Sequence, residues 1–232
     1  MERLVPPPFY PYSGTCDERD CVSEILPGRL YLTNWRGAEN KEACKGISHV
    51  CSVGEEFDTE PLNSDKDSHT ATSTQLVTYS QISVTDDEEQ AGVMTESLRK
   101  ATKFMHDALQ DSATAKVLVH CAAGISRSST VVLAYLIEYE GMTLLGAFST
   151  TKKNRSVIWP NVGFMGVLCR FEADIAGSRR AGADKGRAGK DQSGPERDVK
   201  VPTVDLDEYK VWTDWDQEAY EAAKVVDREE SK

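Results

Sequence analysis

The chain lacks several features that would assign it to a common class of protein. Its 232 residues contain no apolar run of the 18 or more residues that a membrane helix needs, so we expect no membrane span. Residues 1–14 hold prolines and aromatics but no apolar core of a secretory signal. An excess of positive charge is also absent. The net charge of −11 argues against a nucleic-acid partner, because a phosphate backbone would repel the protein.

Regular cysteine spacing is missing as well. The six cysteines form no CxxC pair, and clustered His and Cys ligands suited to zinc are not evident. We therefore expect no disulfide framework, no metal and no cofactor. A chain with unpaired cysteines and no secretion signal is expected in a reducing compartment, which here means the cytoplasm or the nucleus.

Hydrophobic patterning predicts alternating strands and helices. It predicts a hairpin at 24–32, a short helix at 41–45, and strands at 47–53, 76–84 and 116–120. Further helices are predicted at 94–108, 126–140, 143–153 and 162–175. This order predicts an α/β fold with a central, mostly parallel sheet flanked by helices.

Composition divides the chain into three parts. Residues 1–21 form an N-terminal extension, 22–177 the domain with a core, and 178–232 a tail. The tail begins with a basic, Gly- and Ala-rich stretch that is too polar to bury a core, so we predict disorder there. Its end is acidic and holds four interleaved aromatics, and two interpretations stay open: an appendage without effect on catalysis, or a docking or autoinhibitory element.

One segment carries a recognisable chemistry. It reads His120-Cys121-Ala122-Ala123-Gly124-Ile125-Ser126-Arg127-Ser128 and lies between a predicted buried strand and a helix. Successive backbone N–H groups and the start of a helix make an anion site there. Arg127 adds a planar cation that suits two phosphate oxygens, and the setting predicts that Cys121 is a thiolate. The alternatives are a small buried cysteine and a surface helix cation.

This segment is the His-Cys-x5-Arg-Ser signature of the cysteine-dependent phosphatases, and the chain resembles the dual-specificity protein phosphatases most closely. The resemblance covers about residues 22–173 and includes Ile25-Leu-Pro-Gly-x-Leu-Tyr-Leu32, Ile82-x-Val-x-Asp86 and Pro160-Asn161. It implies the fold of that family. It also implies hydrolysis of phosphotyrosine and of phosphoserine or phosphothreonine through a phosphocysteine intermediate.

The resemblance also implies roles for single residues. Cys121 is the nucleophile, Asp86 the general acid with Asp87 as the alternative, Ser128 a hydrogen-bond donor to the leaving sulfur, and His120 a supporting residue near the loop. The phosphoryl group is expected to contact Arg127 and the loop residues Ala122, Ala123, Gly124, Ile125 and Ser126.

Two further assignments follow from the same comparison, and a third follows from the predicted neighbouring strands. Arg155 either contacts a second phosphate or acidic residue of the substrate, or complements a helix end as a cation. Asn161 is expected to tether a loop near the site. Cys51, on a strand expected beside that of Cys121, is either a disulfide partner for oxidised Cys121 or a buried core cysteine.

Loop composition bears on the substrate class. The side chains of Ala122, Ala123, Ile125 and Ser126 are neutral, as in protein-directed relatives, so phosphoproteins are the expected partners. A protein kinase among them stays open, as does the oligomeric state. Two other functions also remain open: hydrolysis of a non-protein phosphate, such as a phosphoinositide or an RNA end, and phosphoprotein binding with little turnover.

Overall fold

The computed structural model describes residues 20–54 and 77–187 of the chain. Its strands are β1 Ser23–Leu26, β2 Leu30–Asn34, β3 His49–Val53, β4 Thr78–Ile82 and β5 Val117–Cys121. They form one five-stranded sheet in the order β1-β2-β5-β3-β4. Only the β1–β2 hairpin is antiparallel, and all other neighbours are parallel. The predicted mostly parallel sheet is therefore confirmed.

Five helices accompany the sheet in the described residues. They are α1 Trp35–Glu39, α2 Ala91–Asp111, α3 Arg127–Glu138, α4 Leu144–Asn154 and α5 Val162–Arg187. The predicted cap of α4 is present, because the Thr143 hydroxyl accepts a hydrogen bond from the backbone N–H of Gly146. No helix of the described part is long and apolar enough to cross a bilayer.

The short helix predicted at 41–45 is wrong. The helix lies earlier, at Trp35–Glu39, where the Asn34 side chain caps it by accepting from the N–H of Gly37. Residues 41–46 form turns instead. The interior glycine is a poor helix former and weakened the helical pattern of α1 in the sequence, whereas the Asn34 side chain fixes the start of the helix as its N-cap.

The two faces of the sheet are covered unequally. Helices α2 to α5 pack together on one face, where α3 contacts each of the other three. Every residue of α3 from Arg127 to Ile137 is buried. A smaller apolar cluster around Val50 and Leu118 lies on the other face, beneath α1. Strand β5 is buried along its whole length, and Cys121 is its last residue. The cysteine therefore lies at the end of a central, buried strand.

The C-terminal helix is longer than predicted. It continues to Arg187, so residues 178–187 are helical where the sequence predicted the start of a disordered linker. Arg179 Nη2 donates to the carbonyl oxygens of Ile137 and Glu138 at the end of α3, which ties this part of α5 to the domain. Residues 1–19 of the predicted extension, residues 55–76 and the tail from 188 lie outside the described residues.

Candidate active site

The signature segment lies at the carboxyl end of the central strand. β5 ends at Cys121 and α3 begins at Arg127, so residues 122–126 form a tight strand-to-helix loop. The neighbouring strands β2 and β3 run parallel to β5 on either side. Ligand sites of open parallel sheets lie at this edge, because the loops that follow the strands meet there.

Carbonyl groups of the loop are held away from its centre. Ala122 O accepts from Trp35 N–H at 3.3 Å, and Ile125 O accepts from Trp159 N–H at 2.8 Å. In a trans peptide the N–H points opposite to the C=O, so the N–H groups of the following residues face the inside of the loop. The result is a concave array of donors suited to a phosphate. Sequence reasoning missed both tryptophans, because their contribution comes from the backbone.

Gly124 is required by the shape of this loop. Its φ of 65° lies in the left-handed region that glycine adopts without strain. A Cβ at this position would lie 2.6 Å from the carbonyl oxygen of Thr33, on the neighbouring strand β2. A side chain here would therefore force the loop off the sheet.

The Cys121 sulfur is surrounded by hydrogen-bonding groups. The residue is 2% exposed. The Gly124 N–H donates to Sγ at 3.2 Å, and the hydroxyl oxygen of Ser128, which is also buried, lies 3.1 Å from Sγ. Both contacts, together with the start of α3, stabilise negative charge on the sulfur.

Arg127 reaches from the first turn of α3 to the segment that carries Asp86. It is buried, and its Nη1 donates to the carbonyl oxygen of Val84 at 3.3 Å. The guanidinium therefore lies between the loop and the residues that follow β4. The structure thus brings Cys121, Arg127 and the 84–86 segment together, as the sequence predicted.

Asp86 and Asp87 differ in their surroundings. Oδ1 of Asp86 accepts from the Ser126 hydroxyl at 2.7 Å and from the Asn161 side-chain amide at 2.9 Å. Asp87 is exposed, and its carboxylate caps the short 3₁₀ helix Glu88–Gln90 by accepting from Glu89 N–H at 2.9 Å. Asp86 is therefore the carboxylate attached to the loop, whereas Asp87 is engaged by its own turn.

Asn161 connects three parts of the site. Besides donating to Asp86, its backbone N–H donates to the Ser126 hydroxyl at 3.1 Å. Its side-chain oxygen accepts from Phe164 N–H at 2.9 Å, which caps the start of α5. Gly163 packs so closely on Glu88 that a Cβ would lie 2.7 Å from the Glu88 carbonyl oxygen. The segment that carries Asp86 and Glu88 therefore packs on the start of α5.

His120 is buried beside the loop and bonds the neighbouring strand. Its Nε2 lies 2.7 Å from the Ser52 hydroxyl on β3. Burial lowers the pKa of this imidazole from 6.5 to about 4, so it is neutral at physiological pH. This placement agrees with a supporting position near the loop.

Arg155 does not lie where a substrate could reach it. It is fully buried, its Nε donates to the carbonyl oxygen of Gly124 at 2.9 Å, and its Nη1 donates to that of Cys21 at 3.0 Å. The predicted contact with a second substrate phosphate or acidic residue is therefore wrong in this structure. The guanidinium lies at the end of α4, beneath the loop, because backbone oxygens of the loop and of the segment before β1 converge on it.

Cys51 is poorly placed to form a disulfide with Cys121. The β3–β5 register pairs Cys51 with Val119, two residues before Cys121. Diagonal neighbours in a sheet lie about 7–8 Å apart, beyond the usual Cα separation of a disulfide. Burial also raises the pKa of the Cys51 thiol to about 12. The geometry favours the alternative of a buried core cysteine.

Across residues 20–54 and 77–187, no three His, Cys, Asp or Glu side chains group as metal ligands would.

Comparison with known families agrees with this geometry. The family model described as dual specificity phosphatase, catalytic domain, matches residues 30–174, which include every element from β2 to α4 and the first half of α5. The chain therefore belongs to the dual specificity phosphatase family.

Individual relatives resemble the chain over most of its described part. Human dual specificity protein phosphatase 9 is 32% identical over 186 residues, which are 78% of this chain and 44% of that protein. Dual specificity protein phosphatase Mpk3 of Drosophila melanogaster is 35% identical over 66% of this chain and 34% of that protein. The crystal structure of human DUSP28 matches with a TM-score of 0.56 at 25% identity, over 67% of this chain and 95% of that one. The chain thus spans less than half the length of these two curated relatives.

Proposed function

We propose that the protein hydrolyses phosphotyrosine and phosphoserine or phosphothreonine in proteins through a phosphocysteine intermediate. The observation that carries this proposal is the position of the Cys121 sulfur. It lies within a loop whose carbonyls point outward. The helix that follows this loop begins at Arg127, and Ser126 at the end of the loop is bonded to the carboxylate of Asp86. These contacts support the roles of nucleophile, anion cradle and acid that we propose for Cys121, the loop with Arg127, and Asp86.

In the first step Cys121 Sγ attacks the phosphorus atom, and the bond from phosphorus to the substrate oxygen breaks. Loop N–H groups and the Arg127 guanidinium stabilise the charge on the three phosphoryl oxygens. Asp86 donates its proton to the departing oxygen, which is a poor leaving group without it. Ser126 and Asn161 both donate to Oδ1 and hold this carboxyl group beside the loop.

In the second step water attacks the phosphorus atom of phosphocysteine, and the phosphorus–sulfur bond breaks. The Asp86 carboxylate takes the proton of the attacking water, which restores the acid. The hydroxyl of Ser128, 3.1 Å from Sγ, donates to the sulfur as it departs with the electron pair. Inorganic phosphate then leaves the loop, and Cys121 is again a thiolate.

The loop composition supports a protein substrate. Around the cradle, Ala122, Ala123 and Ile125 are half-buried neutral side chains, so the charge at the cradle comes from backbone donors and Arg127. A single phosphoryl group fits this charge, whereas a polyphosphorylated headgroup would need further cations. The names of the relatives, which are protein phosphatases, favour the same class. Because the nucleophile must stay reduced, we place the activity in the cytoplasm or the nucleus.

A panel of substrates measured side by side tests this proposal. It contains a phosphotyrosine peptide, a phosphothreonine peptide, a phosphoinositide and a 5′-phosphorylated RNA, with Cys121→Ser as the control for contaminating activity. We expect kcat/KM to be highest for the two peptides and turnover to vanish in the variant. A higher kcat/KM for the phosphoinositide or the RNA would overturn the substrate class. Peptide binding without turnover by the wild type would overturn the enzymatic function.

A further inference from the structure

The buried guanidinium of Arg155 connects two parts of the chain that are remote in sequence. Its Nε donates to the Gly124 carbonyl oxygen at 2.9 Å. Its Nη1 donates to the Cys21 carbonyl oxygen at 3.0 Å and to the Ser23 hydroxyl oxygen at 3.3 Å. One side chain on the far end of α4 therefore joins the phosphate-binding loop to the segment that enters β1.

That segment is attached to the sheet directly beside the loop. The Thr33 hydroxyl donates to the same Cys21 carbonyl oxygen at 3.0 Å, and Asn34 Nδ2 donates to Asp20 Oδ1 at 2.6 Å. Thr33 and Asn34 are the residues of β2 that pair with His120 and Cys121 of β5. The Cys21 carbonyl is thus fixed from two directions at the level of the nucleophile.

The contact with Gly124 decides which way one peptide of the loop faces. Arg155 holds the Gly124 carbonyl away from the centre, so the N–H of Ile125, in the same trans peptide, faces the centre. On the other side of Gly124 its own N–H donates to the Cys121 sulfur. A rotation of this peptide would remove a donor from the phosphate and present a carbonyl oxygen to it, which repels an anion.

We propose that Arg155 is a positioning residue that, together with the segment Asp20–Ser23, holds the phosphate-binding loop in the shape that accepts a phosphoryl group. This inference rests on the proposed function, because the loop is taken to bind that group. Arg155 has no exposed surface and acts through Gly124, without contact to the substrate. The residues from Asp20 onward thereby belong to the catalytic unit, although the sequence assigned Asp20 and Cys21 to the extension.

Calorimetric binding of inorganic phosphate to the full-length protein tests this inference without requiring turnover. Arg155→Met and Arg155→Lys are compared with Lys153→Met, which removes an exposed cation from the last turn of the same helix. We expect Arg155→Met to weaken phosphate binding about tenfold or more, as for loss of hydrogen bonds from a charged group. Its kcat for an aryl phosphate should fall in parallel. Arg155→Lys should restore part of both, and Lys153→Met should match the wild type.

An isosteric pair of variants keeps the test decisive if Arg155→Met fails to fold. Thr33 and Thr151 are both fully buried, and the Thr151 hydroxyl donates within α4 to Ala147 O at 2.8 Å. We expect Thr33→Val to weaken phosphate binding about threefold, whereas Thr151→Val should lower the melting temperature without that effect. In the Arg155→Met background the effect of Thr33→Val should shrink, since both act through one carbonyl.

Two results would overturn the inference. One is unchanged phosphate affinity in a folded Arg155→Met protein, or in Thr33→Val when the Arg155 variant does not fold. The other is an equal loss of affinity in Thr33→Val and Thr151→Val, which would indicate a general loss of stability. Neither result depends on which phosphorylated molecule is the substrate, so failure here is distinguishable from failure of the proposed function.

Discussion

The hydroxyl oxygen of Ser128 lies 3.1 Å from the sulfur of Cys121, and both side chains are buried. Ser128 is the second residue of α3, and Cys121 is the last residue of β5, so the strand-to-helix loop alone brings them together. A hydroxyl donor at this distance stabilises a sulfur that carries negative charge. In the proposed mechanism such charge develops when sulfur leaves phosphorus.

The contact predicts a specific kinetic defect in Ser128→Ala. Breakdown of phosphocysteine should slow more than its formation, because an activated aryl phosphate needs little help in the first step. We expect kcat to fall by about 10²- to 10³-fold, as for loss of one donor to a developing charge. Rapid-mixing kinetics with an aryl phosphate should then show a burst of aryl alcohol equal to the enzyme concentration. Equal slowing of the burst and the steady state would contradict this role.

The different surroundings of Asp86 and Asp87 predict different variants. Asp86→Asn should lower kcat for a phosphotyrosine peptide by about 10²- to 10⁴-fold, with a much smaller loss for an activated aryl ester. Asp87→Asn is the matched control, since it removes the Asp87 charge, keeps an oxygen that can cap the 3₁₀ helix, and leaves the carboxylate bonded to Ser126. Steady-state kinetics of both variants on both substrates gives the comparison. A leaving-group dependence that appears in Asp87→Asn instead would move the acid by one residue.

Burial of His120 predicts how stability depends on pH. Its pKa is about 4 in the folded protein and 6.5 when unfolded, so the unfolded chain binds the extra proton between these values. The free energy of unfolding should therefore fall as the pH drops from 6.5 towards 4, by about 2 kcal/mol between pH 7 and 5. Urea unfolding at both pH values measures this loss, and His120→Asn should reduce it. Parallel losses in the wild type and the variant would assign the pH dependence to other groups.

Local sequence patterns predicted much of the fold and the centre of the site. The apolar strand ending at Cys121, the Gly-containing loop and the apolar helix after it are contiguous, so periodicity and turn chemistry suffice to place them. The short helix α1 was misplaced, because Gly37 weakens the helical pattern and only the cap from Asn34 fixes its start. Local helix signals are weak in a helix of five residues that contains a glycine.

Arg155 shows a second limit of prediction from sequence, this one at the site. Its spacing from Cys121 matched a substrate-contacting position of the family, and the sequence offered a helix-end cation as the alternative. Its side chain instead bonds Gly124, 31 residues away, and Cys21, 134 residues away. No spacing rule can foresee such partners, because they meet only after the sheet has formed.

Oxidation chemistry provides a further prediction. Peroxide should abolish the proposed activity by oxidising Cys121, and thiol reagents should restore it up to the sulfenic acid or disulfide stage. Cys51 is fully buried and its pKa is raised to about 12, so it should not attack the oxidised sulfur. Cys51→Ala should therefore recover activity as the wild type does. A Cys51–Cys121 linked peptide in mass spectrometry would contradict this expectation.

The length of α5 predicts where the chain can be shortened. Arg179 donates to the carbonyl oxygens of Ile137 and Glu138, so removal of residues 178–232 takes away this cap of α3. Removal of residues 188–232 leaves it in place. We expect the shorter protein to be about 1–2 kcal/mol less stable to urea than the longer one, and Arg179→Ala in the full chain to show a similar loss. Equal stability of both truncated proteins would show that the contact contributes nothing.

The same pair of proteins separates the two interpretations of the acidic tail. If the tail is an appendage, removal of residues 188–232 leaves KM for an acidic phosphopeptide unchanged at every salt concentration, and this is the outcome we expect. If it competes with substrate for the positive field of Arg127, its removal lowers KM at low salt. That difference then shrinks as salt rises, because exposed charges are screened over about 8 Å at physiological ionic strength. Arg179→Ala in the full chain is the control, since a change in KM there would come from α5 and not from the tail.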